Sequence, residues 1–169
     1  MAHRSDYLAT DDEYFMAFAE VAARRSKDPE TQVGACIVNE DKVVVGIGYN
    51  HMPKESDEFS WARKKENPSN NKHMFVIHAE MAAIIKKTIV DLNGCTIYVT
   101  LFPCNECAKA IVESGIKEVV YLSDAYAKKE YTKIAKGIFF KVGLRYRACG
   151  EQIAEPAHQE ENSTKKRKL

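Results

Sequence analysis

The stretch Ile77 to Cys107 decides how this chain is organised. It opens on His78-Ala79-Glu80 and closes on Pro103-Cys104-Asn105-Glu106-Cys107. His78, Cys104 and Cys107 are zinc-binding side chains, and three protein ligands leave a tetrahedral ion one open position. An open position marks a catalytic metal, whereas four protein ligands mark a structural one. Glu80 stands two residues from the histidine and adds a carboxylate beside that position. Between the motifs, Glu80 to Lys87 reads as a helix with acid first and base last, matching its dipole. Asn93-Gly94 is a turn, and Cys95 to Leu101 is an apolar run that predicts a buried strand. Pro103 fits the first helical position, where a missing N–H costs nothing. A helix is predicted from about Cys104 to Glu113, capped by Gly115. Both motifs thus open helices, whose partial positive charge favours thiolate over thiol. Two such helix starts, beyond the carboxyl ends of strands, could close one metal site.

Working towards the N-terminus, Asn50 to Phe75 is polar and irregular, and a loop of that length is usually functional or disordered. It runs directly into His78, which favours function. Before it, Val33 to Val38 and Val43 to Tyr49 are β-branched runs separated by Asn39-Glu40-Asp41-Lys42, a hairpin pattern. Thr10-Asp11-Asp12-Glu13 is a capping box, followed by Phe15, Phe18, Ala19 and Ala22 at helical spacing. That helix is expected to reach about Ser26, with Asp28-Pro29 stopping it. Towards the C-terminus, Val119 to Leu122 is a strand, Tyr131 to Val142 a helix ending at Gly143, and Leu144 to Ala148 a last strand. Alternating elements of this size imply an α/β fold of three α/β/α layers, with a mixed sheet because the first two strands form a hairpin. Residues 6–150 read as one domain. Residues 151–169 lack periodicity and large apolar residues and read as a disordered tail.

Composition narrows the function. Formal net charge is +1, and the last 19 residues hold four basic and four acidic groups, so the rest is also nearly neutral. A chain gripping long nucleic acid by its phosphates usually carries a basic excess, so a small-molecule partner is favoured. No apolar run approaches a membrane span, and the N-terminus leads into no secretory apolar region. The five cysteines are odd in number, and Cys36 and Cys95 lie in apolar runs, so a reducing, cytoplasmic setting is expected. Lys165-Lys166-Arg167-Lys168 suits nuclear import, or equally a solvated tail.

Taken alone, a His-x-Glu is noise, and a Cys-x-x-Cys could be a redox pair or half a zinc finger. A finger needs a second ligand pair, and a redox pair has no use for His78 and Glu80. The combination, His-x-Glu followed by Pro-Cys-x-x-Cys, is the signature of zinc deaminases. The chain resembles the cytidine deaminase superfamily, and within it the deoxycytidylate deaminases. The likeness covers roughly residues 6–147. It includes Asp6-Tyr7-Leu8, Glu13-Tyr14-Phe15-Met16-Ala17, Arg25-Ser26-Lys27-Asp28-Pro29, Gln32 to Val38, Gly46-Ile47-Gly48-Tyr49-Asn50, Tyr98 to Lys109, and Ser114 to Val120.

The resemblance implies a five-stranded mixed sheet flanked by helices. It implies hydrolytic conversion of dCMP to dUMP with release of ammonia, one catalytic Zn2+, and Glu80 as proton carrier. Substrate contacts would come from Asn50 to the sugar, Phe102 or nearby backbone to the base, Ala79, and Arg25, Ser26 and Tyr126 at the 5′-phosphate end. It implies a homo-oligomer, often a hexamer, and regulation by dCTP and dTTP, with Mg2+ only alongside such a triphosphate. Deaminases of dCTP, of a cytosine nucleoside or of tRNA adenosine are the alternatives. The near-neutral charge argues against tRNA, and a lone Trp61 is thin support for a polynucleotide substrate. A catalytically dead zinc module is a further class, but it has no need of Glu80. Where the family usually continues Gly-Met-Pro-Asn-Gly after Asn50, this chain has His51-Met52-Pro53-Lys54-Glu55. Glycines let backbone approach a phosphate, and Glu55 would repel one. Nucleotide regulation is therefore expected to be weakened or lost. His51 and His73 are expected to be surface histidines, not ligands of a second zinc.

Overall fold

The computed structural model describes residues 8, 10–63, 69 and 71–151. Tyr7 and its predecessors, the basic run at 165–168 and nearly all of the expected tail lie outside the described residues.

A five-stranded sheet runs in the order β2-β1-β3-β4-β5. Its strands are β1 (Gly34–Val38), β2 (Val44–Tyr49), β3 (Thr96–Leu101), β4 (Glu118–Ser123) and β5 (Arg145–Ala148). β1 pairs antiparallel with β2 and β3, while β3, β4 and β5 run parallel, so the sheet is mixed as expected. The helices are α1 (Asp11–Ala23), α2 (Ala79–Ile85), α3 (Asn105–Glu113) and α4 (Glu130–Val142).

Strand alternation assigns the layers. Cys36, Val38, Tyr98 and Val120 face Phe15, Met16 and Ala19 of α1. Ala35, Ile37, Ile97, Val99 and Val119 face Ala79 and Ala83 of α2, Ala108 and Ile111 of α3, and Ala135 and Phe139 of α4. α1 alone covers one face, and three helices cover the other. A central strand apolar on both faces reads as one continuous run, which is why Val33 to Val38 shows no alternation. Gly48 lets α2 lie directly on β2, for a Cβ there would meet Ala79 O at 2.2 Å and Ala83 N at 2.4 Å. That close approach sets the height at which His78 enters the site.

Element ends differ from expectation in two places. α1 stops at Ala23, because Arg24, Arg25 and Ser26 donate three residues back and the chain unwinds before Asp28. Pro103 is not at the first helical position. Cys104 is extended (φ −75°, ψ 171°) and caps α3 by accepting from Cys107 N, so Pro103 lies one residue before the cap. Gly115 and Gly143 close their helices at φ 85° and 72°, as read from the sequence.

Candidate active site

Two helix starts build the centre. His78 is the N-cap of α2, and Cys104 is the N-cap of α3 with Cys107 in that helix's first turn. Pro103-Cys104 continues directly from β3, and His78 follows a single antiparallel bridge between His51 and Ile77. His78 Nδ1 lies 3.5 Å from Cys104 Sγ and 3.4 Å from Cys107 Sγ. A tetrahedral zinc with Zn–S near 2.3 Å and Zn–N near 2.0 Å requires N···S edges of about 3.5 Å. All three ligand atoms lie within 4.8 Å of one another, and among the described residues this is the one cluster suited to a metal. The donor set and its spacing therefore fit zinc.

Electrostatics points the same way. Cys104 is pulled down to about 4, first by its hydrogen bond with Cys107 and then by His78, against burial. The same bond pushes Cys107 up, together with burial. His78 is raised to about 9, chiefly by Cys104. Cys104 thus favours its thiolate while His78 and Cys107 hold their protons, and a divalent cation taking the three lone pairs would displace those protons. Glu80, 4 % exposed, is raised by burial, opposed by the charge of His78. A buried carboxyl held protonatable next to a metal position is placed to carry protons.

The other expected residues fall into five places. Asn50 directly precedes His51, and its bridge to Ile77 sets Asn50 alongside His78. Its Oδ1 accepts from Val33 N at 2.8 Å, and its Nδ2 donates to Thr31 O at 2.9 Å and Asp28 Oδ2 at 3.4 Å. Ser26 is buried in the same loop and accepts from Asp28 N through Oγ. Ala79 is buried under Gly48. Arg25 instead lies over the Tyr49 ring, 5.5 Å from its centroid, in a cleft shared with His51, Glu55 and Trp61. No metal ligand lines that cleft. Phe102 is 6 % exposed and turned into a cluster with Tyr121, Phe139 and Tyr146, so its ring contacts are core contacts. Tyr126 is half-buried in the turn after β4. Tyr131, raised mainly by burial, also feels Tyr126 and Cys104, so the start of α4 borders the centre.

His51 is not on the surface. It is 8 % exposed, its Nδ1 is 2.7 Å from Met52 O, and its Nε2 has no partner. Lys54 and Glu55 adopt φ 52° and 55°, the left-handed region that glycine would enter without strain. The Glu55 carboxylate accepts from the Tyr49 hydroxyl and is held low first by that bond, with Lys86, His51 and Arg25 adding.

Sequence reasoning missed Lys72 and read Asp28 only as a helix stop. Lys72 is 2 % exposed, and its ammonium bonds Asp28 at 2.8 and 2.9 Å and Glu30 at 2.9 Å. A lone lysine in a polar loop, more than forty residues from its partners, gives no local signal.

Residues 9–123 match the model of the cytidine and deoxycytidylate deaminase zinc-binding region. Deoxycytidylate deaminase of Mus musculus is 51 % identical over 146 residues, 85 % of this chain and 82 % of that protein. The Homo sapiens enzyme of the same name is 49 % identical over the same shares. A crystal structure of dCMP deaminase from cyanophage S-TIM5, in complex with dCMP and dUMP, superposes with a TM-score of 0.65 at 25 % identity, covering 80 % of this chain and 94 % of that one. With a His-Cys-Cys centre at zinc spacing, a buried glutamate beside it, the family model matched over residues 9–123 and about half of 146 aligned residues identical to the mouse and human proteins, the chain belongs to the cytidine and deoxycytidylate deaminase family.

Proposed function

We propose that this chain is a zinc-dependent aminohydrolase converting dCMP and water to dUMP and ammonia, and so supplying the precursor of thymidylate. One observation carries the reading: His78 Nδ1 stands at ligand distance from both thiols, with the Glu80 carboxyl buried beside them. When bound, zinc lowers the pKa of water towards about 7 and so supplies a nucleophile at neutral pH. Glu80 takes the proton released as oxygen bonds to C4 of the cytosine. It passes that proton to N3, then takes the proton of the new C4 hydroxyl and delivers it to the C4 amine, so that the C–N bond breaks, ammonia leaves and the C4 carbonyl of dUMP forms. Burial raises its carboxyl above the ordinary carboxylate range, against the charge of His78, so it holds a proton more readily than a solvated glutamate. The α2 and α3 starts carry partial positive charge beside His78 and Cys104, their N-caps, and so favour developing negative charge there.

Asn50 is the sugar contact, since its Oδ1 has a lone pair left after Val33. Ala79, between His78 and Glu80, is kept as a substrate contact on the resemblance alone. Ser26 and Tyr126 belong to the 5′-phosphate end. Arg25 is the weaker member, because its guanidinium faces Tyr49 and Glu55. Residues 6–150 make up the catalytic domain, and the chain works as a homo-oligomer, the hexamer being the expected form.

Regulation by dCTP and dTTP is lost or weakened. Two cations, Arg25 and Lys86, stand 5.5 and 5.4 Å from the Tyr49 ring, and the Glu55 carboxylate already occupies their company. A phosphate there would meet a fixed anion. Ammonia release from dCMP, dCTP, deoxycytidine and a tRNA anticodon loop, each with and without dCTP or dTTP plus Mg2+, tests the whole reading. Turnover is expected with dCMP, and the triphosphates should change it less than about twofold. Faster turnover of another substrate would overturn the substrate, and steep activation by dCTP with inhibition by dTTP would overturn the regulatory part.

A further inference from the structure

Lys72 is among the most buried large side chains of the protein, yet it is a cation in the segment leading to His78. An ammonium has three N–H donors. All three are taken: two by the oxygens of Asp28 at 2.8 and 2.9 Å, one by Glu30 at 2.9 Å. Nothing is left with which to hold a phosphate. Its effect must pass through Asp28.

Asp28 is a hub. Besides Lys72 it accepts from Glu30 N at 2.9 Å, Thr31 N at 3.3 Å and the Asn50 amide at 3.4 Å. Asn50 thus faces two acceptors on one side, the Asp28 carboxylate and Thr31 O, and one donor, Val33 N, on the other. Turning the amide over would set oxygen against both acceptors and NH2 against the donor. Asp28 therefore helps fix which way the amide lies, and Lys72 keeps Asp28 ionised and in place. A protonated Asp28 would offer a donor, and the orientation would lose one of its two supports. The backbone of Lys72 reinforces this, for its carbonyl accepts from Phe75 N and Val76 N in the turn just before the Ile77 bridge.

We propose that Lys72 is a positioning residue for sugar recognition: through Asp28 it orients the Asn50 amide so that the site presents the substrate with an acceptor rather than a donor. The ligand group it serves is a sugar hydroxyl. A 2′-deoxyribose 5′-monophosphate has one, at the 3′ carbon. The proposal rests on Asn50 being the sugar contact.

The test compares kcat/KM for dCMP with that for 2′,3′-dideoxy-CMP, which lacks only that hydroxyl. The wild-type enzyme should prefer dCMP by on the order of tenfold, the value of one neutral hydrogen bond. In Lys72→Met the preference should fall to about twofold or less, with the loss in KM for dCMP and little change in kcat. A role for Lys72 in bulk stability, or in holding phosphate, would slow both substrates equally and leave the ratio intact, and that result would overturn the proposal. Zinc content and far-UV circular dichroism check that the variant folds. Should the unpaired Asp28 prevent folding, Lys72→Met with Asp28→Leu removes both the buried charge and the acceptor facing the Asn50 amide, and carries the same test. Asn50→Ala separates the two readings. If it leaves the preference intact, or the wild type shows none, Asn50 is not the sugar contact and the proposal falls with it. If Asn50→Ala erases the preference while the folded Lys72 variants keep it, only the positioning role falls.

Discussion

At the scale of single residues, the chemistry depends on a carboxyl that costs free energy to bury. Glu80 is not among the side chains whose ligand atoms cluster at metal spacing and is raised by desolvation, so a functional reason is expected for its burial at 4 % exposure. Glu80→Gln keeps the shape and removes the proton carrier. We expect one zinc per chain by metal analysis, unchanged from wild type, and a fall in kcat of at least about 10²- to 10⁴-fold, the usual contribution of a positioned general acid–base. Activity within a few-fold of wild type would remove Glu80 from the mechanism. These residues were legible because each motif is local. Cys104 and Cys107 are three apart, and His78 and Glu80 are two apart, so sequence spacing nearly determines their geometry. Asn50 as an expected contact rested on resemblance alone, whereas its wiring to Asp28 and Lys72 could not be read. Asp28 lies 22 residues from Asn50 and 44 from Lys72 along the chain, and only folding brings them together.

Among the elements, α1 stands apart because it covers its face of the sheet alone. Its N-terminus is held by the Thr10–Glu13 capping box, and by a clamp to the far edge of the sheet. Arg147 of β5 grips Asp12 through two N–H groups, at 2.5 and 2.9 Å, and Gly150 N adds a third bond at 3.0 Å. Both side chains are largely shielded, so this pair lies outside the class of exposed ion pairs that contribute little. The Asp12 carboxyl is lowered, first by its hydrogen bond to Arg147. Its contribution is therefore present above the unfolded value of about 3.9 and disappears as pH falls through the folded one. Asp12→Asn should cost about 2 kcal/mol in urea unfolding at pH 7, as for a hydrogen bond to a charged group. The difference from wild type should shrink below about pH 4. A difference independent of pH would show that the clamp acts by packing alone. The capping box was visible in the sequence, and the clamp was not, since β5 lies 135 residues from Asp12. Element type was readable throughout from apolar period and glycine placement. Element ends were less so: Pro103 has the fixed φ of a first helical residue, but Cys104 is drawn into the cap because its sulfur can accept from Cys107 N.

For the whole molecule, sheet order, charge and surface decide what the chain does outside its own core. β2 is an edge strand, and edges left open invite pairing with another chain. Beside it, the end of α2 and the segment after it expose Ile85 at 65 % and Val90 at 95 %, with Ile89 and, on β2, Ile47 also exposed. Isolated exposed apolar side chains need no explanation, but several close in sequence beside an open edge resemble the apolar centre of an interface. The net charge of +1 offers little long-range repulsion to keep copies apart. The homo-oligomer proposed above is therefore expected to bury the β2 edge and the end of α2. Light scattering on the wild-type chain should give several times the mass of 19.1 kDa, and Ile85→Asp with Val90→Asp should lower it. The substitutions lie on a surface away from the ligands, so zinc content should stay at one per chain. A wild-type mass equal to one chain would rule out the oligomer. An unchanged assembly in the double variant would move the contact elsewhere, because two carboxylates cannot be desolvated in an apolar interface without a cost that dissociates it.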